Sequence, residues 1–202
     1  MLSKLLILAC MPLVFVYAVE LGAPYNYKYN YKLQLDKTTV ADAISQYGKP
    51  RERYHVKSQV ASYVFLRYYS TDLSLFSGKA RMSYLEFRED LLYAYITVSS
   101  FDNDSTDFSY TKAKEIKVGD TIDEVVHRIG EPSGMGKCPM NTGKFSGFCK
   151  DGEETWMWLY AKTNGMMNSD KLQAKAFLVG VDKEGKVIEI ERERITILTK
   201  GR

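Results

Sequence analysis

The sequence predicts an α+β chain of two tandem repeats, each a short helical unit packed on one face of a small antiparallel β-sheet. Two observations carry that prediction. One helix signature with both ends marked occurs twice. Each copy is followed by an aromatic strand-like run, then by two more strand-like runs around a turn. A repeat of this length suits a small domain and is too long for a solenoid unit.

The clearer helix lies in Lys117 to Pro132, KVGDTIDEVVHRIGEP. Thr121 is an N-cap whose hydroxyl can accept from a first-turn N–H, and Glu124 three residues on completes a capping box. Ile122, Val125, Val126 and Ile129 form one apolar stripe. Gly130 suits a left-handed C′ position and Pro132 forbids continuation. Leu35 to Pro50, LDKTTVADAISQYGKP, repeats this at an offset of 82, the difference between Pro132 and Pro50. Thr39 matches Thr121, Asp42 matches Glu124, and Gly48 matches Gly130. Ala43, Ile44 and Tyr47 match Val125, Val126 and Ile129. Helices of about two turns are marginal alone, so each stripe must dock on something larger.

In the first copy, Val60 to Tyr69 alternates: Val64, Leu66 and Tyr68 point one way, Tyr63, Phe65, Arg67 and Tyr69 the other. A polar loop, Ser70 to Lys79, leads to strands Arg81 to Arg88 and Leu91 to Ser99, divided by the tight turn Glu89-Asp90. In the last strand Leu92, Ala94, Ile96 and Val98 are expected on an aliphatic face, with Tyr93 and Tyr95 opposite. Phe101 to Lys114 reads as a polar linker. Its aspartates miss the calcium-loop pattern, with Asp107 for the glycine and Ala113 for the glutamate.

In the second copy, Pro132 to Trp156 spans 24 residues where Pro50 to Tyr63 spans 13, so 11 extra residues form a loop carrying Cys138 and Cys149. Strand Thr155 to Lys162 sets Met157 and Leu159 against Trp156, Trp158 and Tyr160. Phe177 to Val181 and Lys186 to Ile197 follow, with Gly185 in the turn between them and a bulge expected near Glu191 to Arg194.

The N-terminus reads as a targeting signal: Lys4, an apolar run of 13 residues from Leu5 to Tyr17, and cleavage after Ala18. A second reading takes Ile7-Leu8-Ala9-Cys10 as a lipobox with Cys10 lipidated. If Cys10 leaves with the signal, Cys138 and Cys149 remain as one disulfide. The next stretch, Tyr25 to Leu35, alternates strictly, with tyrosines on one face. It reads as an arm against the domain or a ladder offered to a partner. The division is thus 1–18 signal, 19–34 tyrosine-rich arm, 35–110 first repeat and 111–202 second repeat.

The residues KVGDTIDEVVHRIGEP, TWMWLY and FLVGVDKEGKVIEI resemble the SmpA/OmlA (BamE-like) family and the related β-lactamase inhibitor protein fold. The resemblance implies a helical unit on a small antiparallel sheet in each copy. The tandem arrangement looks more like the inhibitor protein than single-copy BamE, whose members are lipidated envelope assembly proteins.

Composition narrows the function classes. The net charge is +3 over 202 residues, too small and dispersed for nucleic acid. Only two histidines occur. His55 is placed in a polar turn and His127 on the exposed side of the second helix, and no nucleophile elbow, phosphate loop or HExxH accompanies them. Glu189, Glu191 and Glu193 alternate with Arg192 and Arg194, a solvated charged face. No enzyme, metal or cofactor is expected. The expectation is an exported envelope protein, periplasmic, secreted or lipid-anchored at the outer membrane. It binds a partner protein through Tyr63, Phe65, Arg67, Tyr69, Tyr93, Tyr95, Trp156, Trp158 and Tyr160. Small-ligand or glycan binding by the tyrosines is the lesser alternative.

Overall fold

The computed structural model describes residues 20–21, 32–74, 77–99, 108–137, 154–162 and 171–198, with side chains described for 32–70, 81–99, 108–137, 154–156 and 175–192. The signal, the tyrosine arm over 25–31, Cys10, Cys138 and Cys149 lie outside the described residues.

Both helices form where the caps place them. Helix α1 is Val40–Tyr47 and helix α2 is Ile122–Ile129. The hydroxyl of Thr39 accepts from the Asp42 N–H at 3.1 Å, and Asp42 Oδ2 accepts from the Thr39 N–H at 3.0 Å. Thr121 and Glu124 repeat that exchange at 3.3 and 2.8 Å. Each helix stops at a glycine with positive φ, 85° at Gly48 and 80° at Gly130. Their ψ values, −169° and −176°, lie outside the left-handed helical well, in a region that only glycine occupies readily.

Among the described residues nine strands make one antiparallel sheet where two were expected. Strands β1 (Glu20–Leu21) and β2 (Glu52–Lys57) both pair with β3 (Ser62–Ser74). Then follow β4 (Ser77–Arg88), β5 (Leu91–Ser99), β6 (Gly134–Lys137), β7 (Glu154–Lys162), β8 (Lys171–Val181) and β9 (Val187–Leu198). The stretch read as a polar loop, 70–79, is mostly the tip of the β3–β4 hairpin. The seam is β6: Gly134 to Gly136 pair with β5 on one side, and Gly134 to Lys137 pair with β7 on the other, joining the halves. Sequence patterning missed β6, because Gly134-Met135-Gly136-Lys137 has no apolar alternation.

Register shows which side of the sheet each helix covers. Directly opposed residues share a face. Leu66, Leu85, Tyr95, Met135, Trp156, Val179 and Ile190 form one such row across seven strands. At one end of the row, Leu66, Leu85 and Tyr95 are buried with Val40, Ala43 and Tyr47 of α1. At the other, Trp156, Val179 and Ile190 pack with Val125 and Ile129 of α2. Both helices therefore lie on the same side, which we term the helix face. The stretch read as a polar linker also contributes here. Phe108, Ala113 and Ile116 are buried in the second cluster, and Lys112–Glu115 forms a 3₁₀ turn.

The two helix–hairpin units dock alike. Leu92 N–H donates to Thr38 C=O at 2.8 Å, as Val187 N–H does to Asp120 C=O at 2.9 Å. Thr39 bridges Leu91 as Thr121 bridges Lys186. Just beyond, each third strand carries a bulge, at Tyr93 in β5 and at Ile188 in β9. The second bulge lies upstream of the expected Glu191 to Arg194. By this register Leu66 holds in the first unit the place that Trp156 holds in the second, 16 residues beyond Pro50 against 24 beyond Pro132.

Candidate functional site

The far face, opposite the helices, holds the aromatic and arginine residues of the first half. Strand β3 sets Tyr63, Phe65, Arg67 and Tyr69 there, all half-buried, because Val64, Leu66 and Tyr68 point into the helix-face core. Register brings Glu52, Tyr54 and Val56 from β2 beside Arg67, Phe65 and Tyr63. From β4 it brings Tyr84, Glu86 and Arg88 beside the same three residues.

The rings fix one another. Tyr63 stacks on Phe65 with centroids 6.3 Å apart and planes 12° from parallel, and Phe65 meets Tyr84 at 5.8 Å. The guanidinium of Arg67 donates to Glu52 Oε2 at 3.2 Å, and the Tyr54 hydroxyl donates to the same oxygen. Arg51 lies 5.6 Å over the Tyr69 ring and Arg88 5.7 Å over that of Tyr93.

The ionisation of the site follows from these contacts. The Tyr54 hydroxyl, then the charges of Arg67 and Arg51, hold the Glu52 carboxyl below its ordinary range against the opposing effect of burial. The same hydrogen bond pushes Tyr54 up. Burial pushes Tyr84 up, with the Glu86 charge adding to it; burial also pushes Tyr93 up, partly offset by Arg88. At neutral pH the face therefore presents neutral phenols, guanidinium cations, the Glu52 carboxylate paired with Arg67 and, beside Phe65, the buried Glu86. Aromatic rings and guanidinium groups of this kind are common at the centres of protein interfaces. The histidines stand elsewhere. His55 is exposed in β2, not in a turn, and aligns with Val64 on the helix side; His127 is exposed on α2. Among the described residues no cluster of three or more His, Cys, Asp or Glu is arranged to hold a metal.

Two expected members do not share this face. Tyr95 is buried in the first core among α1 residues. The bulge at Tyr93 reverses the phase of β5, so Leu92 and Tyr95 point toward the helix while Ala94 and Ile96 point away. Trp156 packs against the second core on the helix face, with its indole N–H donating to Glu154 Oε2 at 3.3 Å. Its half of the sheet places buried Thr155, Ala176 and Leu178 on the far face instead. Tyr93 stays with the site, buried under Arg88. The side chains of Trp158 and Tyr160 lie outside the described residues. Arg192, read as part of a solvated face, lies 5.3 Å over the Phe177 ring and donates to Ala113 C=O at 3.3 Å, capping the second core.

Tyr54, Tyr84 and Arg88 are members that sequence reasoning missed. The alternation Glu52-Tyr54-Val56 was the available signal, hidden by the charges between.

No protein-family model matches this chain, and no curated protein matches it in sequence. One solved structure with a related shape is a Streptococcus mutans protein, provisionally assigned as a β-lactamase inhibitor protein. It is 11% identical, and the match covers 81% of this chain and 91% of that one at a TM-score of 0.45. A likeness this distant decides neither fold nor function.

Proposed function

We propose that this chain is an exported, non-catalytic protein-binding module of the bacterial cell envelope. It grips a partner protein with the far face of β2, β3 and β4. The observation that carries this is the half-buried set Tyr63, Phe65, Arg67 and Tyr84, held by mutual ring and ion-pair contacts opposite the helices. Aromatic and arginine side chains dominate interface hot spots, and side chains already fixed lose less entropy on binding. We read the two helix–hairpin units as copies of one duplicated unit, on the strength of their matching caps, docking bonds and bulges. The copies have diverged on the far face, so the binding residues belong to the first. Export rests on Lys4, the run Leu5 to Tyr17 and Ala18.

The test is capture from a periplasmic extract by the chain and by Phe65→Ala/Arg67→Ala. Loss of the captured protein, with a cooperative melt retained, supports the reading. Capture at the wild-type level overturns it.

A further inference from the structure

The outer edge of β2 carries no strand pairing among the described residues. Among the described residues, β2 is bonded to β3 on one side and to nothing on the other. Five of its six residues are exposed, with Tyr54 and Val56 each 48% accessible.

The direction of its backbone groups follows from one hydrogen bond. Ser58 N–H donates to Ala61 C=O at 2.9 Å at the end of the β2–β3 hairpin. Alternation from that pair turns the N–H and C=O of Glu52, Tyr54 and Val56 toward β3, and those of Arg53, His55 and Lys57 outward. The register runs unbroken from Glu52 opposite Arg67 to Lys57 opposite Ser62, and no proline interrupts it. Such an edge accepts another strand unless something blocks it.

Charge is the selective element. Between Lys49 and Lys57 there are four cations, Lys49, Arg51, Arg53 and Lys57, against the single carboxylate of Glu52, which is held by Arg67 and Tyr54. A second copy of this edge would meet its own cations, which disfavours self-pairing. A strand with acidic residues would be drawn to it.

We propose that the β2 edge receives an extended acidic segment of the partner protein as an added strand. Acidic side chains would fall beside Arg53 and Lys57 on the helix side, and apolar ones beside Tyr54 and Val56 on the far side. The proposal rests on the protein-binding reading above, because the added strand would extend the same face, yet it is tested apart from it.

The probe is an eight-residue, end-blocked peptide alternating Glu and Val, titrated into the full chain, with the same peptide N-methylated at alternate residues as control. Expected are saturable binding below about 1 mM, about tenfold weakening by N-methylation or by Arg53→Glu/Lys57→Glu, and weakening at high salt. Amide exchange at Arg53, His55 and Lys57 slows on binding, while that at Tyr54 and Val56 changes little. No saturable binding by about 1 mM, indifference to N-methylation, or unprotected outward amides overturns the proposal. If the peptide binds as expected while Phe65→Ala/Arg67→Ala still captures its partner, the aromatic-face reading falls and the edge stands. If that variant loses capture and the peptide fails, the edge proposal alone falls.

Discussion

Gly134→Ala tests the seam of the sheet. Gly134 sits in β6 opposite Ile96 of β5 and Met157 of β7. A Cβ added there would press inside van der Waals contact with the Tyr95 carbonyl oxygen and fall 2.9 Å from Ile96 Cα and 3.1 Å from Ile96 Cβ. Two of these atoms are backbone, so no rotamer change relieves the clash; β6 must move off β5. Overpacking of this kind costs about 1–3 kcal/mol. Weakening one or two hydrogen bonds near it, such as Thr97 N–H to Ser133 C=O at 2.8 Å, adds about 1 kcal/mol each. A loss of about 3 kcal/mol lowers Tm by roughly 6–12 °C for a chain of this size. Differential scanning calorimetry reads the shift directly, and it also shows whether the halves begin to melt separately. A Tm within about 2 °C of wild type, the range of a harmless surface change, refutes the close β5–β6 approach.

Four further predictions rest on the packing and the ionisable groups. Thr39→Ala and Thr121→Ala each remove the hydroxyl half of a capping box, leaving the acid's bond to the backbone N–H, and should cost about 1 kcal/mol in urea unfolding. The Thr39 and Thr121 N–H bonds hold Asp42 and Glu124 below their ordinary pKa values of 3.8 and 4.5. Their contribution is therefore whole above those values and lost as pH falls through the lowered ones, so the stability gap between wild type and Glu124→Gln should close in acid. Burial pushes the Tyr68 phenol from 10.0 up to about 12. The folded state then holds that proton more tightly, so the associated stability is whole below pH 10 and is lost as pH rises toward about 12. Tyr68→Phe should flatten this alkaline limb in part, since burial raises Tyr95 too. Trp156→Ala should cost about 3 kcal/mol by opening the second core, and Phe65→Ala about half of that, measured by urea unfolding. Equal costs would contradict their placement on opposite faces.

The helices were legible because their determinants are local. A threonine, an acid three residues on, an apolar stripe and a glycine sit within about a dozen residues, and each does in the structure what its type allows. The turn Glu89-Asp90 was legible for the same reason; both residues adopt positive φ, 49° and 70°. What the sequence left open was non-local. Alternation groups residues into faces but does not say which face meets a helix. In Thr155 to Lys162 both sets are apolar, and Trp156 was assigned to the wrong side. A one-residue bulge has no reliable local signal, so the phase reversal at Tyr93 misplaced Tyr95. Strand β2 was missed because an exposed, charged edge strand buries too little to show a pattern. In the candidate site, alternation alone puts the β3 residues Tyr63, Phe65 and Arg67 on one face, whereas the β2 and β4 partners that orient them require the register.

On the proposed function, the far face of the first half, and not the helix side, meets the partner. A photo-crosslinking residue placed at Tyr54 or at His127, both exposed, tests it in intact cells. An adduct of one defined mass from position 54, absent from position 127 and abolished by Phe65→Ala/Arg67→Ala, is the predicted result. An adduct from position 127 alone would contradict it.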